Sequence, residues 1–187
     1  MKKIVLSAII LLAIGSEAVA EEWKFFPVKE SGYSPDYAVA PIWGSYQFDK
    51  SENSSGDMFG VELSLNCPLV KPSNHDVRQQ VSLTSYDHSG DTLVTLALNP
   101  HYMFPFSDNF QLGVGPSFQM GYIDSDSTAK DIFYGVGFGG SLRKDFTERI
   151  FFGIEINHTW LNAGDFDNFR AIGKVGYKFT PTSMDSL

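Results

Sequence analysis

Cysteine is nearly absent from this 187-residue chain: Cys67 stands alone, so a disulfide framework is excluded. Positive charge is also scarce. Fourteen Lys and Arg against 22 Asp and Glu give a net charge of −8, and no basic stripe is present, which argues against nucleic-acid binding. Long hydrophobic runs are missing too. Beyond Gly15 no stretch approaches the ~20 apolar residues of a spanning helix, so a polytopic helical membrane protein is excluded. Helical periodicity is hard to find after Glu21. What is present is an unusual load of Phe (16) and Gly (17) within a 43% hydrophobic composition. That load excludes intrinsic disorder, and the length fits one domain. The mean hydropathy nevertheless looks like that of a soluble protein, so pattern has to decide where the average does not.

Residues 1–20 have the layout of a signal peptide. Met1-Lys2-Lys3 is a short positive start, and Ile4–Gly15 is an apolar run too short to span a membrane. Ala18-Val19-Ala20 is a small-x-small cleavage site followed by polar Glu21-Glu22. The expectation is an exported bacterial protein whose mature chain starts at Glu21. Cys67 lies far from that site, which argues against a lipoprotein anchor.

Period-2 alternation dominates the rest of the chain and predicts eight strands. In Phe110–Tyr122 one face reads Phe110, Leu112, Val114, Pro116, Phe118, Met120 and Tyr122. The other reads Gln111, Gly113, Gly115, Ser117, Gln119 and Gly121. Ile132–Arg143, Ile150–Trp160 and the last strand, through Phe169, Val175, Tyr177 and Phe179, repeat the design. Met58–Cys67, Val77–Tyr86 and Thr92–Phe104 follow it less cleanly. Tyr37–Phe48 is the weakest; its apolar face is read as Ala38, Ala40, Ile42, Tyr46 and Phe48. Acid-rich connections Asp49–Asp57, Asp87–Asp91, Ile123–Asp131 and Leu161–Asp167 alternate with turns at Ser107–Asn109 and Asp145–Arg149 and a longer link at Leu69–Asp76.

Two architectures fit eight amphipathic antiparallel strands. A lipocalin-type soluble barrel turns its apolar face inward, whereas a transmembrane barrel turns it outward to lipid. The second is favoured on three grounds. The opposite face is Gly, Ser, Gln and Thr with charges that can pair, which suits a narrow eight-stranded interior. A soluble barrel would carry dense surface charge on its strands, and these strands carry little. Aromatics also gather near strand ends, among them Tyr102, Phe104, Tyr122, Trp160, Tyr177 and Phe179, as in the girdles at two membrane interfaces. The expectation is an all-β, eight-stranded antiparallel up-and-down transmembrane β-barrel over residues 37–179. A periplasmic N-terminal extension (21–36) precedes it and a short tail (180–187) follows it.

Gly176-Tyr177-Lys178-Phe179 resembles the closing strand of bacterial outer-membrane barrels, whose terminal aromatic is read by the barrel assembly machinery. Leu98-Asn99-Pro100-His101-Tyr102-Met103-Phe104, Gly113-Val114-Gly115-Pro116, Gly135-Val136-Gly137 and the run from Asp165 to Phe179 resemble the "outer membrane protein beta-barrel domain" family of small porin-like and opacity-type proteins. The resemblance spans residues 37–179 and implies architecture more than activity. It implies a bacterial cell outer-membrane location, with outer-membrane lipid, lipopolysaccharide and the assembly machinery as partners of a monomer. Thr180–Leu187 departs from the pattern by placing the terminal aromatic inside the chain.

Inward Glu62, Arg78, Glu155, Arg170 and Lys174 are the candidates for an interior polar network, because charges inside a barrel must pair. Read structurally they plug the barrel; read functionally they line a narrow conduction path, and the narrow lumen favours the plug. His158 falls on the lipid face beside Trp160. The run His158-Thr159-Trp160-Leu161-Asn162-Ala163-Gly164 is similar to the site of lipid A 3-O-deacylases. In that family His-x-Ser precedes Asn-Ala and a Glu on the next strand orients the His. Here Trp160 occupies the nucleophile position, the spacing is one residue longer, and Phe169–Phe179 has no Glu.

His75, His88 and His101 are scattered and show no metal-ligand spacing; His101 is read as an inward polar filler. Cys67 is read as closing the lipid face of the second strand. The outer acids Asp49, Glu52, Asp57, Asp124, Asp126, Asp131, Asp165 and Asp167 read as solvated loops or as weak divalent-ion bridges to lipopolysaccharide phosphates. The extension, with Trp23, Phe25, Phe26 and Tyr33, either lies on the inner-leaflet interface or plugs the periplasmic mouth. No cofactor is implied. The expected role is structural, adhesive or surface-interacting and non-enzymatic. A small-solute or hydrophobic-compound channel and a lipid A-modifying enzyme are the alternatives.

Overall fold

The computed structural model describes residues 22–48, 55–88, 91–125, 128–162 and 167–179. The signal segment, the outer acids Asp49, Glu52, Asp126 and Asp165, and the tail 180–187 lie outside the described residues. The elements in order are β1 (Trp23–Phe25), a 3-10 turn (Pro27–Lys29), β2 (Ala38–Phe48), β3 (Ser55–Asn66), β4 (Val70–Pro72) and β5 (Asp76–His88). They continue with β6 (Asp91–Ser107), β7 (Phe110–Ser125), β8 (Thr128–Asp145), β9 (Ile150–Leu161) and β10 (Asn168–Lys178).

Eight strands, β2, β3 and β5–β10, form a closed antiparallel barrel in which each strand pairs with its barrel neighbours in sequence order. β10 closes onto β2 over the register Asn168↔Phe48 to Lys178↔Ala38, and the Phe179 N–H extends the seam to the Tyr37 carbonyl at 2.7 Å. Closure removes the sheet edges. β1 and β4 pair as a separate two-stranded antiparallel ribbon, Trp23↔Pro72 to Phe25↔Val70. Both ends of the described chain lie at one rim of the barrel, called here the terminal end; the opposite rim is the distal end.

Several strands run longer than the alternation predicts. β6, β7 and β8 have 17, 16 and 18 residues. The pairs His88↔Asp91 and Ser125↔Thr128 turn much of the expected distal connections into ladder. Alternation fades there because both faces of those stretches are polar, while the cross-strand hydrogen bonds continue regardless of side chain.

The face assigned to β2 is corrected. Ala38, Ala40, Ile42 and Tyr46 are buried inside the barrel, and Val39 and Trp43 are exposed on its outer wall. Both faces of β2 carry apolar residues, so alternation alone cannot orient it. Packing does: Ala40 and Gly176 leave room for the inward ring of Phe151, and Trp43 lies over Gly173 on the neighbouring strand. The interior is also less polar than the alternation suggests. Tyr46, Met58, Tyr86, Leu93, Phe133 and Leu161 are buried in an apolar cluster toward the distal end, with the Tyr46 and Tyr86 rings 5.7 Å apart. Cys67 is corrected as well. It lies just past the end of β3, donates its N–H to the Val77 carbonyl, and is buried beneath the N-terminal extension rather than facing outward from a strand.

The corrected orientation predicts that Trp43→Arg, which puts a guanidinium on the outer wall mid-strand, costs roughly 2–4 kcal/mol in a bilayer. Urea unfolding in lipid vesicles measures it. An unchanged midpoint would mean that position 43 does not face hydrocarbon.

Candidate functional site

Strand parity brings inward-facing polar residues from β3, β5, β6, β7, β9 and β10 together at mid-barrel. Lys174 on β10 is the hub. Its Nζ donates to Glu62 Oε2 at 2.5 Å, Gln80 Oε1 at 2.7 Å and Glu155 Oε2 at 2.8 Å, so all three ammonium protons are placed. Gly153, opposite Lys174 in the β9–β10 register, leaves the space its methylenes occupy; a side chain there would press on them. The second Glu155 oxygen accepts from Asn99 Nδ2 at 2.8 Å and Asn157 Nδ2 at 2.6 Å, and Ser117 Oγ donates to Asn99 Oδ1 at 2.6 Å. Gln80 Nε2 donates to His101 Nδ1 at 2.9 Å, and Ser141 Oγ lies 2.8 Å from the same nitrogen. Glu62, Glu155 and Lys174 are each at most 3% exposed, so water takes almost no part in this network.

The five charged candidates therefore fall into three groups. Glu62, Glu155 and Lys174 form the central triad. Arg78 does not join it; its Nη1 pairs with Asp36 Oδ2 at 2.9 Å, its Nη2 donates to the Asp36 carbonyl and its Nε to Ser64. Asp36 comes from the extension and was not among the candidates, since nothing in its surroundings marks it as a partner of β5. Arg170 stands apart on the distal side. It is fully buried, its guanidinium carbon lies 5.8 Å from the Tyr46 ring centroid, and Nε, Nη1 and Nη2 have no hydrogen-bond partner among the described residues.

Below the triad the terminal end opens into a cavity of about 410 Å³. Its charged lining is Asp36, Asp76, Arg78, Arg143, Asp145, Glu148 and Lys178. Arg143 packs over the Phe151 ring at 4.1 Å and donates to Asp145, which also accepts from Lys178 Nζ at 2.9 Å. Burial pushes the Asp145 carboxyl up. Arg143 and the hydrogen bonds from Lys178 and Arg143 outweigh it and hold the group below the usual carboxylate range. Beyond the opposite, distal side of the triad, Tyr46 Oη, Thr95, Thr84 and Gln119 are joined by hydrogen bonds under the apolar cluster. Inward side chains from Arg143 and Lys174 through Glu155 to Arg170 and Tyr46 are buried.

On the outer wall, Tyr102, Phe104, Tyr177 and Phe179 lie toward the terminal end, and Tyr122 and Trp160 toward the distal end. Tyr102 and Phe104 rings are 4.6 Å apart, Tyr177 and Phe179 5.3 Å. His75 Nδ1 is 2.8 Å from Tyr102 Oη. His158 is on the wall with its ring 4.9 Å from Trp160. Its register partners are Phe138 and Phe169, so neither neighbouring strand offers a nucleophile or carboxylate beside it. Among the described residues no group of three or more His, Cys, Asp or Glu is placed to hold a metal.

The outer membrane protein beta-barrel domain family matches residues 12–179. Among solved structures, the N-terminal β-barrel domain of Pseudomonas aeruginosa OprF is 16% identical and covers 79% of this chain and all of its own, at TM-score 0.55. Ail, the attachment invasion locus protein of Yersinia pestis, is 11% identical over 79% of this chain and all of its own, at TM-score 0.57. Neisserial surface protein A is 15% identical over 80% of this chain and all of its own, at TM-score 0.57. At these identities the likeness is one of fold. No curated protein matches the sequence.

Two measurements probe the site. Lys174→Met leaves two buried carboxylates without their cation and should cost about 3–5 kcal/mol in urea unfolding from vesicles. Adding Glu62→Gln and Glu155→Gln should recover most of that loss. At the mouth, Asp145 stabilises the fold only while ionised. Its folded pKa lies below the unfolded value of about 3.9, so its contribution is full above that value and is lost as pH falls through the folded pKa. Asp145→Asn should therefore lower stability at pH 7, by about 1 kcal/mol or less for a partly screened group, and the difference from wild type should vanish in strong acid.

Proposed function

The chain belongs to the outer membrane protein beta-barrel domain family, as a transmembrane barrel of the bacterial outer membrane, and from that premise we propose that it is a plugged, non-conducting barrel whose role is structural, adhesive or surface-interacting. The observation that carries this reading is the burial of the inward side chains, from Arg143 and Lys174 through Glu155 to Arg170 and Tyr46. A pore would need those groups hydrated. Catalysis at His158 lacks support for a different reason: the residues facing it across both ladders are Phe138 and Phe169, and a triad needs a base within reach of its nucleophile.

The features that favour a surface role lie at the distal end. β6, β7 and β8 exceed the ~9–11 residues that cross a bilayer, so the β7–β8 hairpin extends past the lipid band. Acids outnumber bases in the distal connections, where Asp49, Glu52, Asp57, Asp124, Asp126, Asp131, Asp165 and Asp167 meet only Lys50 and Lys130. This favours divalent-ion bridging to lipopolysaccharide phosphates or a cationic partner. With eight strands and both chain ends at one rim, the reading places that rim in the periplasm and the acidic rim outside. The closed ladder needs no second copy, in keeping with a monomer. Phe179, next to the seam, is the aromatic that the assembly machinery would read.

Purified protein in planar bilayers should give no discrete conductance steps, and lipid A from cells making it should keep its mass spectrum. Cells carrying the protein with residues 123–131 shortened to a tight turn should keep the heat-modifiable band of a folded barrel but lose any attachment conferred by the full protein. Steady conductance would support the channel, and loss of an acyl chain from lipid A would support the enzyme.

A further inference from the structure

The outer wall at the terminal end is girdled unevenly. From β6 round to β10 it carries Tyr102, Phe104, Phe106, Phe110, Phe146, Tyr177 and Phe179. At the β3–β5 sector the corresponding strand ends offer Leu63, Leu65, Val77 and Gln79, without an aromatic. This is the sector from which β4, the link between β3 and β5, leaves the barrel and pairs with β1.

The ribbon and its turn lie over that gap. Val77 points to the outer face of β5, since Arg78 and Gln80 point inward, yet it is only 7% exposed. Pro27, Tyr33, Cys67 and Val77 line one small cleft under the extension. Tyr33 Oη donates to the Asn66 carbonyl at 2.7 Å and holds the cover down. The Trp23 ring is 6.0 Å from Tyr102, and Tyr102 is 4.6 Å from Phe104, so the aromatic row continues from the barrel wall onto the ribbon without a break.

The ribbon and the turn that follows it expose apolar side chains where a periplasmic surface would be polar. Phe25 is 71% exposed, Leu69 56%, Phe26 53% and Val28 50%. Phe26 holds a left-handed backbone (φ 57°, ψ 52°), a costly conformation for a bulky residue. That turn is fastened by its N–H to the Leu69 carbonyl at 2.7 Å. Lys29 lies over the Phe26 ring at 5.3 Å, and Lys24 and Lys71, register partners on the ribbon face opposite Phe25, pair with Glu30 and Asp76. Large apolar rings with lysines at their edge are the composition of a segment lying at the boundary of headgroups and acyl chains.

We propose that residues 23–29 and 69–72 supply the missing sector of the terminal aromatic girdle and lie in the phospholipid headgroup boundary, with Phe25, Phe26, Val28 and Leu69 in contact with lipid. The occupant of the patch is bilayer phospholipid, because the patch is continuous with the lipid-facing wall through Trp23 and Tyr102. The extension is thus an interfacial collar; only its last residues, Ser34 and Asp36, reach the mouth. In the orientation proposed above the leaflet is the periplasmic one. Lipid contact itself does not depend on that orientation, so this inference and the functional reading fail separately.

The test uses the full-length protein with Cys67→Ala, refolded into phosphatidylethanolamine–phosphatidylglycerol vesicles and checked by heat-modifiable migration. Nitroxide labels are placed singly at Phe25→Cys, Val28→Cys and Leu69→Cys. Leu63→Cys is the lipid reference and Glu30→Cys the aqueous one. Power saturation should show oxygen contact exceeding nickel-chelate contact at 25, 28 and 69, as at 63, with the order reversed at 30. Labels at 25, 28 and 69 that saturate like the one at 30 would overturn the proposal and leave the patch to a second copy or a periplasmic protein.

Discussion

Eight antiparallel strands can cross a bilayer only if the last pairs with the first, because an open edge would turn a row of N–H and C=O groups to hydrocarbon. The β10–β2 seam meets that condition over almost the whole length of both strands. Closing so few strands leaves an interior about as wide as the side chains that fill it. Everything inside then has to fit against everything else. Gly153 yields its space to Lys174, Gly176 and Ala40 yield theirs to Phe151, and large residues sit where glycine lies opposite. The glycine content that stands out in the composition is what a narrow barrel uses to admit long inward side chains.

A filled interior also changes the electrostatics. Charges removed from water have to be held by partners, and Lys174 meets this requirement for Glu62 and Glu155 together. Arg170 is held differently, against the Tyr46 ring, with no hydrogen bond to its guanidinium among the described residues. At the mouth, where water returns, the pairs are looser: Arg78 with Asp36, and Asp145 with Arg143 and Lys178. From the open mouth the interior passes through the ion triad to the apolar cluster around Met58 and Phe133, with buried Arg170 lying against Tyr46 of that cluster.

Much of this was legible in the sequence. Period-2 alternation placed Glu62, Glu155 and Lys174 on the inward face, and Gln80, Asn99 and Asn157 with them. It could not say that Lys174 would meet Glu62 from 112 positions away, because cross-barrel distance depends on how far the strands are staggered around the barrel. Alternation misled at β2, where Trp43 and Tyr46 compete for the same kind of surface and only the neighbouring strands decide. It was silent about Asp36, whose partner Arg78 is reached through the fold of the extension.

The sequence by itself determined the number of barrel strands and the outward lipid face of seven of them, while the outer-membrane class came from the family resemblance. Strand number and faces follow from local alternation and composition, which do not need to know where distant strands go. Only the tertiary structure decided the face of β2, the membership of the ion triad, the seat of Arg170 against Tyr46 and the collar formed by β1 and β4. Each of these is a contact between segments far apart in the chain, set by closure, stagger and side-chain volume rather than by the pattern of any one strand.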